Sequence, residues 1–231
     1  MTTIAARLQA VRSRIAAAAA SAGRPLEDIR LIAVSKTFAG SAIQEARAVG
    51  QIAFGESYLQ EAMDKIPALG PGFEWHHIAP IQSNKTRQIA ALFHWAHGID
   101  RLKIAERLSS SRPAGLPPLD ICIQVNVSGE ESKSGVAPQE VLALARGIAL
   151  LQGVRLRGLM AIPEPTADVG LLRSRFRQIR ELKDEIVHQG IPLDTLSMGM
   201  SDDLEAAIAE GATLVRVGRA IFGARKDRGR Q

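Results

Sequence analysis

Eight short apolar runs, each separated from the next by one helical pattern, constrain this chain more than any other feature. The runs read as strands at residues 31–36, 51–57, 73–79, 94–99, 119–127, 155–162, 195–200 and 213–217, with helical patterns over 41–49, 58–68, 83–92, 101–111, 138–150, 168–188 and 202–210 between them. Several runs, LIAV and ICIQV among them, are apolar with little alternation, as parallel strands buried on both faces should be. Regular alternation of strand and helix predicts a parallel α/β fold. Eight units with no spare domain predict a closed (β/α)8 TIM barrel over an open sheet. The expected division is one barrel domain over 1–225 and a basic tail over 226–231, with the Ser/Pro-rich stretch 109–118 as a single loop.

The N-terminus superficially resembles a targeting segment, because residues 1–26 lack any acidic side chain and 16–20 are all alanine. Ile4, Leu8, Val11 and Ile15 nevertheless recur at helical spacing, and alanine is the best helix former. Gly23 stands where a helix C-cap belongs, with Pro25 beyond it. A packed amphipathic first helix is the better reading. No apolar run approaches the roughly 20 residues that would span a bilayer. Cys122 is the only cysteine, which rules out an intrachain disulfide and a cysteine-based zinc cage and fits a reducing cytoplasm.

A net charge of +5 invites a nucleic-acid reading, yet aromatic residues make up only 4% of the chain, too few for stacking platforms. Part of the excess lies in the tail, where Lys226, Arg228 and Arg230 face only Asp227. The basicity reads as a solvated surface plus that tail, with no nucleic-acid partner.

Barrels of this kind work at the C-terminal ends of their strands. Lys36 ends the first strand after an apolar run, and desolvation of such an amine makes it nucleophilic; a lysine snorkelling off a strand end is the plain alternative. Ser201 opens the helix after strand 7 as an expected N-cap, and Gly218 with Arg219 follows strand 8, where barrels commonly bind phosphate. Capping and turn-making would explain these two residues separately; on adjacent strands they point to one anion. Arg216 lies between Val215 and Val217. Facing inward it would be a buried donor in need of an acceptor such as a pyridine nitrogen, and facing outward it would pair with a helix carboxylate. Lysine, phosphate cradle and ring-nitrogen arginine are the three handles of pyridoxal 5′-phosphate.

Other candidates fare worse. His76 and His77 are adjacent on one strand, and His94 and His97 differ by an odd number, so neither pair can chelate one metal. Cys122 sits mid-strand as a core residue.

At these residues the chain resembles the pyridoxal phosphate homeostasis proteins, the YggS/PROSC group. The matching stretches are LIAVSKTF (31–38), FGESYLQEAMDKI (54–66), WHHIAPIQSNK (75–85), IQVNVSGEESKSG (123–135), RGLMAIP (157–163), LSMGMSDDLEAAIAEGAT (196–213) and VRVGRAIFGAR (215–225). The resemblance implies a fold-type III barrel related to the N-terminal domain of alanine racemase, without a second domain. It assigns Lys36 as the Schiff-base lysine, Ser201 with the Gly218–Arg219 backbone as the phosphate cradle, and Arg216 as the partner of the ring nitrogen. Met200 and Ile162 would line the ring, with Ser57 nearby. Three positions depart from the family pattern: Ser57 stands for a usual Asn, His77 for an aromatic residue, and Arg219 for a small one such as Thr.

The resemblance also implies a carrier or buffer of the cofactor rather than an enzyme; a cytoplasmic monomer with apo-enzymes as partners is the expectation. An amino-acid racemase is the alternative. A two-base racemase needs a second acid/base across from the lysine. Tyr58 is the only tyrosine, and it reads as a packing residue at a helix start. A phosphosugar-binding barrel would keep the phosphate loops but leave Lys36 unexplained.

Overall fold

The computed structural model describes residues 2–129 and 134–224. Eight parallel strands close in chain order into a barrel: β1 (Arg30–Val34), β2 (Ala53–Glu56), β3 (Glu74–His77), β4 (Trp95–Ile99), β5 (Leu119–Val125), β6 (Val154–Ala161), β7 (Thr195–Ser197) and β8 (Leu214–Val217). Around it run α1 (Ile4–Ser21), α2 (Gly40–Ala48), α3 (Leu59–Leu69), α4 (Thr86–Leu92), α5 (Leu102–Ser110), α6 (Val141–Ile148), α7 (Val169–His188), α8 (Leu204–Ala209) and α9 (Arg219–Phe222). The (β/α)8 barrel expected from the strand–helix alternation is therefore what forms. The expected tail over 226–231, and residues 130–133 of the fourth matching stretch, lie outside the described residues. Among the described residues no helix is long and apolar enough to cross a membrane.

Several strands end short of their expected limits. β1 stops at Val34 because Phe38 N–H donates to the Ser35 carbonyl at 3.1 Å and Thr37 takes a φ of 72°, which makes 35–38 a turn that carries Lys36. The helix after β7 begins at Leu204 rather than 202, and the short α9 was not expected from the sequence. The first helix is packed as its periodicity predicts. Leu8, Val11 and Ile15 are buried, Thr3 caps the N-terminus through its hydroxyl, and the chain leaves past Gly23 at φ 64°. α1 packs against α2, α8 and α9, so it fills the helical ring where the first and last units meet.

Two apolar layers result. The larger lies between strands and helices and contains Phe54, Trp75, Phe93 and Phe176, each fully or almost fully buried. The smaller plugs the barrel with Ile32, Ala53, Trp95, Cys122, Met160 and Leu214. Burial of one such large side chain contributes about 1.5–3 kcal/mol. Burial also pushes the Cys122 thiol well up, which keeps it an inert core residue.

Side-chain parity places the histidines as the alternation rule demands. His76 points into the barrel, where its Nδ1 lies 3.0 Å from His97 Nε2, whereas His77 sits edge-on to Phe93 at 5.3 Å. His94 accepts the Trp75 amide at 3.0 Å. No two histidines of one strand share a face, but His76 and His97, on neighbouring strands, meet inside.

Two predictions follow from this packing. At Gly158, where β6 meets β7, an added Cβ would fall 1.7 Å from the Thr195 carbonyl oxygen. Gly158→Ala should therefore force the two strands apart and cost about 3 kcal/mol in urea unfolding. His76, His77 and His97 are all held neutral by burial, His77 at about 4, against an ordinary value of 6.5. The unfolded chain takes up protons first, so stability should be full above about pH 6.5 and fall as pH drops toward 4, with a slope of up to about one proton per histidine. A urea midpoint that stays flat across that window would contradict the assignment.

Candidate functional site

At the C-terminal mouth of the barrel lies a cavity of about 450 Å³. Seven of the residues singled out in the sequence line it: Lys36, Ile162, Met200, Ser201, Arg216, Gly218 and Arg219. Ser57 does not line it, because β2 ends at Glu56 and the chain turns directly toward α3. Tyr58 does mark the start of α3, but it is 49% exposed instead of packed and is also absent from the cavity wall.

Barrel closure brings Lys36 and Arg216 to the same wall. β1 and β8 pair in parallel with Ile32 opposite Arg216 and Ala33 opposite Val217. Gly218 permits this approach at the mouth: a Cβ there would meet the Val34 carbonyl oxygen at 3.2 Å and the Val34 Cβ at 3.3 Å.

The segment carrying Lys36 is held from below by a buried polar cluster. Glu56 is wholly buried on β2, and its Oε1 accepts from Ser35 Oγ at 2.7 Å and Lys65 Nζ at 3.0 Å. Lys65 also donates to the Ser35 carbonyl at 3.1 Å and to Glu61 Oε2 at 3.0 Å. The same Glu61 oxygen accepts the Thr37 amide at 2.9 Å, which fixes Thr37 in a left-handed conformation rare for a residue with a branched side chain. Burial pushes the Glu56 carboxyl up, against the opposing pull of Lys65. Phe38 stacks on Phe222 of α9 at 5.1 Å and ties this turn to the helix that follows β8. None of Glu56, Glu61 or Lys65 announced this task in the sequence, since each would suit an ordinary helix or strand position.

Arg216 points inward and is 4% exposed, which answers the question that strand parity left open. Its Nη1 donates to the Ser197 carbonyl at 2.5 Å and to Ser197 Oγ at 2.6 Å, and its Nη2 donates to the Ala161 carbonyl at 3.0 Å. A guanidinium has five N–H donors, so these three bonds account for three of them, and the residue also lines the cavity. Burial lowers the Arg216 pKa to about 10, and nearby Asp203 opposes the shift, so the group stays charged at neutral pH.

The expected N-cap at Ser201 is not formed. Asp203 occupies the cap position of α8, and its carboxylate accepts the Met200 amide, closing a turn over 200–203 that delays the helix. Ser201 stays in that turn at the cavity wall, its carbonyl accepting from Arg14 at 3.0 Å. α9 opens directly at Arg219; the Ile221 and Phe222 amides donate to the Gly218 carbonyl at 3.0 and 2.9 Å, which leaves the Arg219 and Ala220 amides without an intrahelical acceptor. The Arg219 side chain faces solvent, 77% exposed and 4.0 Å from an equally exposed Asp202, an ion pair worth little. His77, the remaining departure from the family pattern, keeps the packing role of an aromatic ring against Phe93.

Comparisons with known proteins agree with this architecture. Residues 6–226 match the family model described as alanine racemase, N-terminal domain. The pyridoxal phosphate homeostasis protein of Pseudomonas aeruginosa is 57% identical over 226 residues, covering 97% of each chain. The protein of the same name from Escherichia coli K12 is 52% identical, covering 97% of this chain and 98% of its own. Among solved structures, PipY of Synechococcus elongatus with PLP bound superposes with a TM-score of 0.85 at 36% identity, over 96% of this chain and 100% of PipY. The chain thus belongs to the family of pyridoxal phosphate homeostasis proteins, built on the alanine racemase N-terminal fold.

Proposed function

We propose that this protein binds pyridoxal 5′-phosphate at the mouth of the barrel and carries it for delivery to apo-enzymes, without catalysing a reaction of its own. The observation that carries this reading is the shared cavity of Lys36 and Arg216, an amine and a charged donor on adjacent strands. The residues fit the group: about 450 Å³ accommodates a small cofactor, and the buried Arg216 lines that space. The names of the relatives and the PLP of PipY support the same ligand.

When bound, the cofactor supplies an aldehyde that a lysine amine attacks reversibly. Lys36 is the tethering amine, on a turn fixed by Glu61 and Lys65. Arg216 directs its guanidinium at the ring nitrogen. Ser201 and the backbone amides at Gly218 and Arg219 receive the phosphate at the loops after β7 and β8. Met200 and Ile162 flank the ring, and Ile162 is 42% exposed, which leaves the site open to water. An open site suits handing a cofactor on better than chemistry that must exclude solvent. A racemase would need a second acid/base, and the only tyrosine, Tyr58, lies outside the cavity wall. A single, buried cysteine suits the cytoplasm.

The purified protein with added cofactor should be yellow and lose its visible band on borohydride treatment. Lys36→Ala should abolish the band, and retention of it would overturn the tether. Arg216→Met should weaken cofactor binding roughly tenfold or more while Lys36 still forms the band, as read by absorbance titration. Alanine or serine racemisation above background, lost in Tyr58→Phe, would replace the carrier with an enzyme.

A further inference from the structure

A continuous file of hydrogen bonds runs down the inside of the barrel from Arg216 toward the opposite face. Arg216 Nη1 donates to Ser197 Oγ at 2.6 Å, and Ser197 Oγ lies 2.8 Å from His97 Nδ1. His97 Nε2 lies 3.0 Å from His76 Nδ1, and His76 Nε2 lies 2.7 Å from Glu74 Oε1. Glu74, at the start of β3, also takes a bidentate contact from Arg30 at 2.7 and 2.9 Å. Ser197, His97 and His76 are wholly buried, and Trp95 stacks on His76 with centroids 5.5 Å apart.

The chemistry of the two ends allows the protons of this file only one arrangement. Arginine can only donate, so Ser197 Oγ accepts from it and turns its own hydrogen to His97 Nδ1. That ring nitrogen is then an acceptor, and the neutral imidazole carries its proton on Nε2, where it donates to His76 Nδ1. His76 in turn carries its proton on Nε2 and donates to the Glu74 carboxylate. The reverse order would set a bare ring nitrogen against a carboxylate at 2.7 Å and strand the serine hydrogen in the core. Burial favours neutral rings at both histidines, and the contacts with His76 and Arg30 hold Glu74 down at about 2, a carboxylate throughout.

We infer that Ser197, His97, His76 and Glu74 form a positioning column that holds Arg216 as a charged donor aimed into the mouth of the barrel. This rests on the reading of Lys36 and Arg216 as the cofactor's anchors. Ordinarily a buried guanidinium is held by a carboxylate, which satisfies its donors and cancels its charge. Here its direct partners are two carbonyls and a hydroxyl, all neutral. Asp203 acts on its charge from nearby, but the three groups that fix its orientation are neutral, and the carboxylate of the file itself sits two histidine rings away. Every link donates in the same direction, so the links polarise one another and strengthen the grip on Arg216. None of the four residues lines the cavity, so their part is positioning and they do not touch the ligand.

Two measurements test the column. In the native protein, long-range proton–nitrogen NMR should find both His76 and His97 as the Nε2–H form, neutral through the neutral pH range and unchanged on addition of pyridoxal 5′-phosphate. A proton on Nδ1 of either ring would overturn the assignment. In folded Ser197→Ala and His97→Gln proteins, the dissociation constant for pyridoxal 5′-phosphate should rise roughly tenfold, and the visible band of the Lys36-bound cofactor should shift. A residue of merely structural importance would lower the unfolding midpoint and leave both readings alone, and that result would sink the proposal. Lys36→Ala is run in parallel. A band that survives in it refutes the cofactor tether itself, whereas unchanged affinity and spectrum in Ser197→Ala refute only the column.

Discussion

Parallel pairing of β1 with β8 is the constraint on which the rest of the molecule depends. A barrel has no edge strands, so closure satisfies the ladder hydrogen bonds of the first and last strands together. It also joins residues nearly two hundred positions apart, and Ile32 comes to lie opposite Arg216. The glycine at 218 lets the two strands approach where a side chain would strike Val34. α1 then covers the seam by packing on α2, α8 and α9, which gives the alanine-rich N-terminal segment a structural purpose.

Around this seam the protein buries charge in two different ways. Beneath Lys36, the Glu56 carboxylate and the Lys65 ammonium pair with one another, both bond Ser35, and Lys65 also donates to Glu61. A buried pair of this sort is costly to break, because removing one member leaves the other uncompensated. Beneath Arg216 neutral acceptors hold the guanidinium, Asp203 acts on its charge from nearby, and the file that begins at Ser197 ends on the Glu74 carboxylate. The first arrangement fixes a backbone turn, and the second leaves a positive donor available. Both are built inside what the strand patterns alone describe as apolar core.

The fold was legible because its signal is periodic and repeated. Eight buried parallel strands separated by helices have few alternatives, and small errors at strand ends do not change the topology. The cavity wall was legible for a related reason: strand ends of a barrel converge, so residues such as Lys36, Met200, Ser201, Gly218 and Arg219 could be gathered by position alone. Ser57 failed that test because the chain leaves β2 one residue earlier than its pattern suggests. The cap at Ser201 failed because the Asp203 carboxylate accepts the Met200 amide and closes a turn over 200–203, so α8 begins only at Leu204.

The sequence by itself determined the barrel, its order of strands and the convergence of a lysine and an arginine at one mouth. Parity within a strand told which of His76 and His77 must face the other way from its neighbour, since successive side chains alternate. It could not tell that His76 and His97 meet, because contact across strands depends on register and shear, which no local pattern encodes. Only the tertiary structure turned Arg216 inward, set Ser197 beneath it and aligned the two histidines toward Glu74. Those choices follow from burial: once water is excluded, an unpaired polar group is costly, and inside the closed barrel these groups find partners in one another.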